Sequence, residues 1–421
     1  MRQRRPVVSR LLAFILSAAA AAAMVTAADA GADRRAIAPP GVRLGGPHSP
    51  GILAGDFLYV SGQGARDTDG RLPDTIDAQV RQMLVNVKAI VGAAGMTLPH
   101  VVYSQVYLTD MAALEVLDRV WPEFFPTAPP ARAVVGVHRL PDKAAMQIDA
   151  VAYRDLPRRR PIVPAGYPAF PASPGIMAGN RLFLSAALGV DESTRGAADA
   201  DGQVQHALDG MRATLAAAGM DFRHLVFVNP YLTAAASRQM NAIYAKHFEF
   251  GNTPARATIS VASLPHGATV QFTGVAIADL SLRRAVRPSN MRPSATASPC
   301  VLADDTYYCS AKGPFTPGPI AGPNGLQGIW VGTVEAQVRQ TMRNLLDGLE
   351  EAGLGLPNVV ATNVYVDDMD DLARLDRVYA TYFPERPPAR TVVAQVPPMP
   401  RTTRDDGTFA ALEQISLIAV R

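Results

Sequence analysis

The chain has 421 residues, room for roughly two to four domains of ordinary size. With 48% hydrophobic and 18% charged residues it is not a disordered polymer, and its 2 Cys exclude a disulfide-dense scaffold or a Cys-rich zinc module. The formal charge of +3 arises at the N-terminus: residues 1–30 hold four Arg and one Asp, so the remainder is formally neutral and has no electrostatic pull on nucleic acid or anionic lipid.

Residues 1–30 read as a secretory signal. Arg2, Arg4, Arg5 and Arg10 precede an apolar run over 11–25, too short for a membrane span of about 20 residues. Ala28-Asp29-Ala30 then supplies a small-x-small exit, so cleavage near Ala30 and a secreted or periplasmic protein are expected.

The next elements come in a fixed order. Residues 51–60 predict two strands joined by a tight turn at Gly55-Asp56. Residues 77–94 predict a helix with Val80, Met83, Leu84, Val87 and Val91 on one face, and Gly95 at its C-terminal stop. A strand over 101–108, a second helix over 114–125 and strands over 133–137 and 146–153 complete a β-β-α-β-α-β-β unit.

This unit occurs three times. PPAR or TPAR closes at Arg132, Arg256 and Arg390, spaced by 124 and 134 residues. The helix openings AQVRQ at Ala78, GQVQH at Gly202 and AQVRQ at Ala336 repeat the same two spacings, as do VYLTD at Val106, PYLTA at Pro230 and VYVDD at Val364. The units are assigned to 37–156, 162–282 and 287–421. The third carries insertions between Ser310 and Gln337 and around 401–407. The Arg- and Pro-rich stretches at 154–164 and 281–294 read as solvated linkers. The cluster Asp367, Asp368, Asp370 and Asp371 reads as a solvated loop. A sheet with helices on one face needs cover on the other, so three units are expected to pack about a pseudo-threefold axis.

The strings LAGDFLYVSGQ at 53–63, VRQMLVNVKAIVGAAG at 80–95, VYLTD at 106–110 and PPAR at 129–132 followed by Leu140-Pro141 resemble the RidA/YjgF family of reactive-intermediate imine deaminases. That resemblance implies a chorismate-mutase-like α+β fold. The three copies imply the family's trimer written as one polypeptide, a monomer acting as a pseudo-trimer. It also implies a small carboxylate or imine ligand bound between neighbouring units. By this resemblance Arg132, Arg256 and Arg390 hold the ligand carboxylate, which suits a planar guanidinium that stays charged. Arg132 is expected to matter most, because its repeat keeps the SGQ string at Ser61, Gly62 and Gln63.

The chain departs from the family pattern. The family's Glu, fifteen residues after the Arg, maps to Gln147 and Gln271 and, across the insertion, to Gln414. Gln orients water but does not exchange protons at ordinary pH. The family's aromatic residue before the first strand maps to His48, Ala172 and Ala297, and its helix Asn to Asp118, Asn241 and Asp376. Two functions therefore stay open for the chain, an imine or enamine deaminase and a non-catalytic carboxylate-binding protein, and a structural scaffold with dead sites stays open for repeats 2 and 3. The seven His lack metal-ligand spacing, and neither a metal nor a cofactor is expected. Cys300 and Cys309 fall opposite each other when a two-residue turn is set at Asp304-Asp305, which predicts a disulfide.

Overall fold

The computed structural model describes residues 34–42, 47–167, 171–190, 199–234, 240–289, 291, 293–316 and 328–421. The signal-like segment 1–30 and most of the first insertion's centre lie outside these residues.

In the first repeat the strands are β1 (Arg34–Ile37), β2 (Gly51–Ala54), β3 (Phe57–Gln63), β4 (Val101–Leu108), β5 (Ala131–Gly136) and β6 (Met146–Tyr153), and the helices are α1 (Ile76–Ala93) and α2 (Ala113–Phe124). They form one sheet in the order β1-β2-β3-β6-β4-β5, antiparallel except for the β4–β5 pair. The second repeat follows with β7 (Arg159–Ile162), β8 (Gly175–Ala178), β9 (Arg181–Leu188), α3 (Ala200–Ala217), β10 (Leu225–Leu232), α4 (Met240–Tyr244), β11 (Ala255–Arg256), β12 (Ile259–Ser260) and β13 (Val270–Ile277). The third has β14 (Arg283–Val286), β15 (Cys300–Ala303), β16 (Thr306–Lys312), α5 (Val334–Glu351), β17 (Val359–Val366), α6 (Leu372–Tyr379), β18 (Ala389–Ala394) and β19 (Glu413–Val420). Among the described residues these make three α+β units, each with the same strand order.

The long helices start where side chains cap them. Thr75, Asp199 and Thr333 each accept the backbone N–H three residues on. Their apolar faces pack on one face of their own sheets, giving three separate cores. The opposite faces of all three sheets meet in one shared core that includes Tyr107, Tyr231 and Tyr365, so the sheets wrap a common axis.

The Arg-rich stretches connect the repeats and stay largely exposed, but each also carries an edge strand: β7 and β14, like β1, flank the first hairpin of the following repeat. The first Arg of each edge strand bonds neighbouring carbonyls, Arg34 reaching Val420 O at 3.0 Å, while the second Arg is exposed. Arg159 donates to Val101 O and Ala128 O, and Arg283 to Leu225 O. The acidic cluster is likewise not merely solvated. Arg139 of the first repeat reaches Asp368 and Asp370, and Arg401 of the second insertion reaches Asp371 at 2.6 Å.

The three hairpin turns carry a left-handed first residue: Gly55 at φ +55°, Gly179 at +62° and Asp304 at +60°. Asp304 is strained where glycine would not be. Three residues before the turn's first strand ends, Cys300 faces Cys309, and the two form a disulfide.

Candidate functional site

Each first hairpin contains a bulge where two residues oppose one. Val60 pairs with Ala150 and Gln63 with Ile148, leaving Ser61 and Gly62 opposite Asp149. Ser185-Ala186 and Ser310-Ala311 repeat it. A bulge re-aims side chains, and here it turns each Ser toward the seam with the neighbouring repeat.

There a clamp is built three times. Ser61 Oγ donates to Ser49 O at 2.5 Å and accepts the backbone N–H of Arg390 at 2.8 Å, while Ser49 N–H donates to Pro388 O at 3.1 Å. Ser185 Oγ does the same with Ser173 O and Arg132 N–H, and Ser310 Oγ with Ser298 O and Arg256 N–H. The ring thus closes as repeat 3 on repeat 1, repeat 1 on repeat 2, and repeat 2 on repeat 3. Ser61 is fully engaged in this clamp.

The clamp reassigns the arginines. The intact SGQ string faces Arg390, and Arg132 faces Ser185-Ala186-Ala187 of repeat 2. The SGQ string on which the expectation for Arg132 rests therefore meets Arg390 instead, because the contact crosses the seam.

Each guanidinium is held by the second helix of its own repeat. Arg132 pairs with Asp118, Arg390 with Asp376 at 2.7 Å, and Arg256 with Asn241 at 2.7 Å. Each also lies over an aromatic ring three residues further along: Trp121 at 4.8 Å, Tyr379 at 4.9 Å and Tyr244 at 5.2 Å. The ion pairs neutralise Arg132 and Arg390 in place. Asn241 leaves the charge of Arg256 uncompensated, and burial lowers that residue's pKa.

Between repeats 3 and 1 lies a cavity of about 390 Å³, lined by His48, Gly62, Gln63, Gln147, Asp376 and Arg390, among others. Gln147 packs so tightly on Gly62 that a Cβ there would meet the amide carbon at 2.6 Å. The Gln147 amide is buried, and its Oε1 has no hydrogen-bond partner among the described residues. His48 stands exposed at the rim. Crowding by the seam and then the charge of Arg390 lower its pKa, while Asp376 acts the other way. Between repeats 1 and 2, Gln271 is fully buried and its Nε2 donates to Val134 O at 3.1 Å, while its Oε1, like that of Gln147, has no hydrogen-bond partner among the described residues. Between repeats 2 and 3, Lys312 takes the place of Gln63 and its pKa is lowered by burial to about 8. Gln414 aligns with Gln147 in register, each opposite a Tyr of the central strand.

The structure thus brings together His48, Gly62, Gln147 and Arg390. It sets Arg132, Arg256 and Gln271 at the other two seams, and Gln414 at the matching register position of repeat 3. Gln63 and Asp376 join the cavity as well. Sequence spacing could not select them, because it does not say which repeat faces which. Among the described residues no His, Cys, Asp and Glu group could hold a metal ion, and no helix is long and apolar enough to cross a membrane.

Three tandem sheet-and-helix units joined by Ser–Arg clamps define a trimer-like ring in a single chain. The family model described as Endoribonuclease L-PSP matches residues 42–154, 165–278 and 289–404, and the chain belongs to that family, the RidA/YjgF family. A RutC family protein of Pyrococcus horikoshii is 41% identical over 112 residues, spanning 26% of this chain and 89% of the relative. Protein DfrA of Myxococcus xanthus is 35% identical over 111 residues, spanning 25% of this chain and 85% of the relative. Among solved structures, the YjgF gene product of E. coli is 34% identical, covers 28% of this chain and 98% of its own, and has a TM-score of 0.28. RidA of an Antarctic Psychrobacter is 33% identical, with 28% and 98% coverage and a TM-score of 0.27.

Proposed function

We propose that this RidA-like protein binds a small imine or enamine acid at the seam between repeats 3 and 1 and hydrolyses it to the 2-oxo acid. The observation that carries this reading is the cavity itself. It joins Arg390 from one repeat to Gly62, Gln63 and Gln147 from another. Asp376 occupies part of Arg390, and the remaining guanidinium N–H groups are left to meet a carboxylate. Paired opposite charges in one pocket suit a ligand that carries both an iminium nitrogen and a carboxylate.

A second reading, capture without turnover, is favoured by Gln147, Gln271 and Gln414, which put an amide where the family has a proton-exchanging Glu. Export is also part of the proposal, supported by the pattern of residues 1–30 and by the Cys300–Cys309 bond. The endoribonuclease of the family description is not extended to this chain, since residues 31–421 are formally neutral.

The test is hydrolysis of 2-iminobutyrate, followed as 2-oxobutyrate release above the spontaneous rate. Acceleration supports the enzyme. Saturable binding of 2-oxobutyrate with no acceleration supports capture. Neither effect would overturn both readings.

A further inference from the structure

We propose that His48 is the proton-transferring group of the seam between repeats 3 and 1, standing in for the carboxylate that Gln147 cannot supply. The inference rests on the hydrolytic reading above and adds its missing acid–base chemistry.

Placement is the first support. Ser49, the next residue, is fixed to repeat 3 by two bonds: its N–H to Pro388 O and its Oγ to Pro387 O at 2.7 Å. That anchors His48 beside the segment leading into Arg390, and both residues line the same cavity. The pseudo-symmetric clamps supply the comparison. Ser173 and Ser298 make the matching backbone contact, with Ser173 Oγ on Pro129 O and Ser298 Oγ paired with the Thr253 hydroxyl, but the preceding residues there are Ala172 and Ala297. The imidazole occurs at the seam between repeats 3 and 1, on the cavity that Gln147 and Arg390 also line.

The surroundings supply the second support. Among the described residues, His48 makes no hydrogen bond, so a ring nitrogen is open to the cavity. The charged groups lining that cavity are Arg66, Asp142, Asp376 and Arg390. Arg390 disfavours the imidazolium and Asp376 favours it, and with crowding the pKa falls below its ordinary value. A neutral imidazole near pH 7 is a competent base. Across the cavity the buried Gln147 Oε1 lacks a donor, and a water O–H would satisfy it.

The chemistry balances without another reagent. A water donates one O–H to Gln147 Oε1 and its other proton to a His48 nitrogen, while its oxygen bonds the iminium carbon and the C=N π pair moves to nitrogen. The imidazolium returns that proton to the nitrogen of the carbinolamine. The C–N bond then breaks with its electron pair on ammonia as the hydroxyl becomes C=O and gives its proton back to His48. Iminium acid and water become 2-oxo acid, ammonia and a proton.

The experiment is the pH profile of kcat/KM for 2-iminobutyrate between about pH 5 and 8, with spontaneous hydrolysis subtracted. It compares wild type, His48→Ala and His48→Gln, with 2-oxobutyrate binding measured alongside. Wild type should lose rate as pH falls through protonation of His48. His48→Ala should fall about 10²–10⁴-fold, lose that acid limb, keep 2-oxobutyrate binding within severalfold and regain rate with added imidazole. His48→Gln should stay slow. Active variants with an unchanged profile would overturn the role of His48 and leave the hydrolytic reading standing. Wild type at the spontaneous rate would overturn the hydrolytic reading, and the role of His48 with it.

Discussion

Arg390 and Ser61 lie 329 residues apart, yet the backbone N–H of Arg390 donates to Ser61 Oγ at 2.8 Å. That bond joins the last repeat to the first. It also decides which arginine serves which turn, because Arg132 and Arg256 make the same bond to Ser185 and Ser310. The candidate pocket is therefore a composite of two repeats.

Asp376→Asn should tighten binding of 2-oxobutyrate by about tenfold, the worth of roughly 1.4 kcal/mol of charge-assisted hydrogen bonding. The substitution copies Arg256–Asn241, where the guanidinium keeps its charge. Isothermal titration of variant and wild type checks it, and equal affinities would show that Asp376 does not compete for Arg390.

Gln147→Glu should raise the rate of imine hydrolysis. A carboxyl group would occupy the same buried place against Gly62, where low solvation favours its protonated form at moderate pH. Steady-state rates across pH test this. A variant that is folded but no faster at any pH would count against hydrolysis as the native activity.

Glu413→Gln should stabilise the protein increasingly as pH rises. Glu413 is fully buried, with Thr341 Oγ1 donating to it at 2.6 Å, and burial raises its pKa to about 8. The folded state therefore holds a proton that the unfolded chain releases near its ordinary value of about 4.3. Stability falls as pH climbs from the unfolded value to the folded one, and is recovered by protonation below it. Variant and wild type should melt alike near the lower end of that window. They should diverge by several kcal/mol, on the order of 5, at the upper end. Parallel melting curves at all pH values would contradict the buried acid.

Protein collected from an oxidising compartment should show no alkylatable thiol until reduced, because Cys300 and Cys309 are paired and buried. Intact mass after alkylation reads this directly. Reduction should cost about 2 kcal/mol of stability, low in the usual range because the closed loop is short. Two free thiols before reduction would refute the bond.

The units, their order and the paired cysteines were legible because they rest on local signals: helical spacing at Val80 to Val91, turn residues at Gly55 and Asp304, and strings repeated at fixed intervals. The edge strands were not, since Arg159 and Arg283 look solvent-bound until the neighbouring repeat's carbonyls are seen. The bulge at Ser61-Gly62 leaves no mark in the alternation of residues either. Above all, PPAR at 129–132 says that an arginine reaches a seam but not which seam. The partner of Arg132 is fixed by the hand of the ring, a property of three packed sheets.

The central claim is that one carboxylate site combines Arg390 with the turn of repeat 1. The direct measurement is 2-oxobutyrate affinity in Arg390→Gln and Arg132→Gln, two equally buried arginines that each lose an Asp partner. Loss of a charge-assisted contact worth about 1.5–3 kcal/mol should weaken binding roughly 10- to 150-fold in Arg390→Gln. Arg132→Gln should bind like wild type. Weakened binding in Arg132→Gln with Arg390→Gln unaffected would contradict the account.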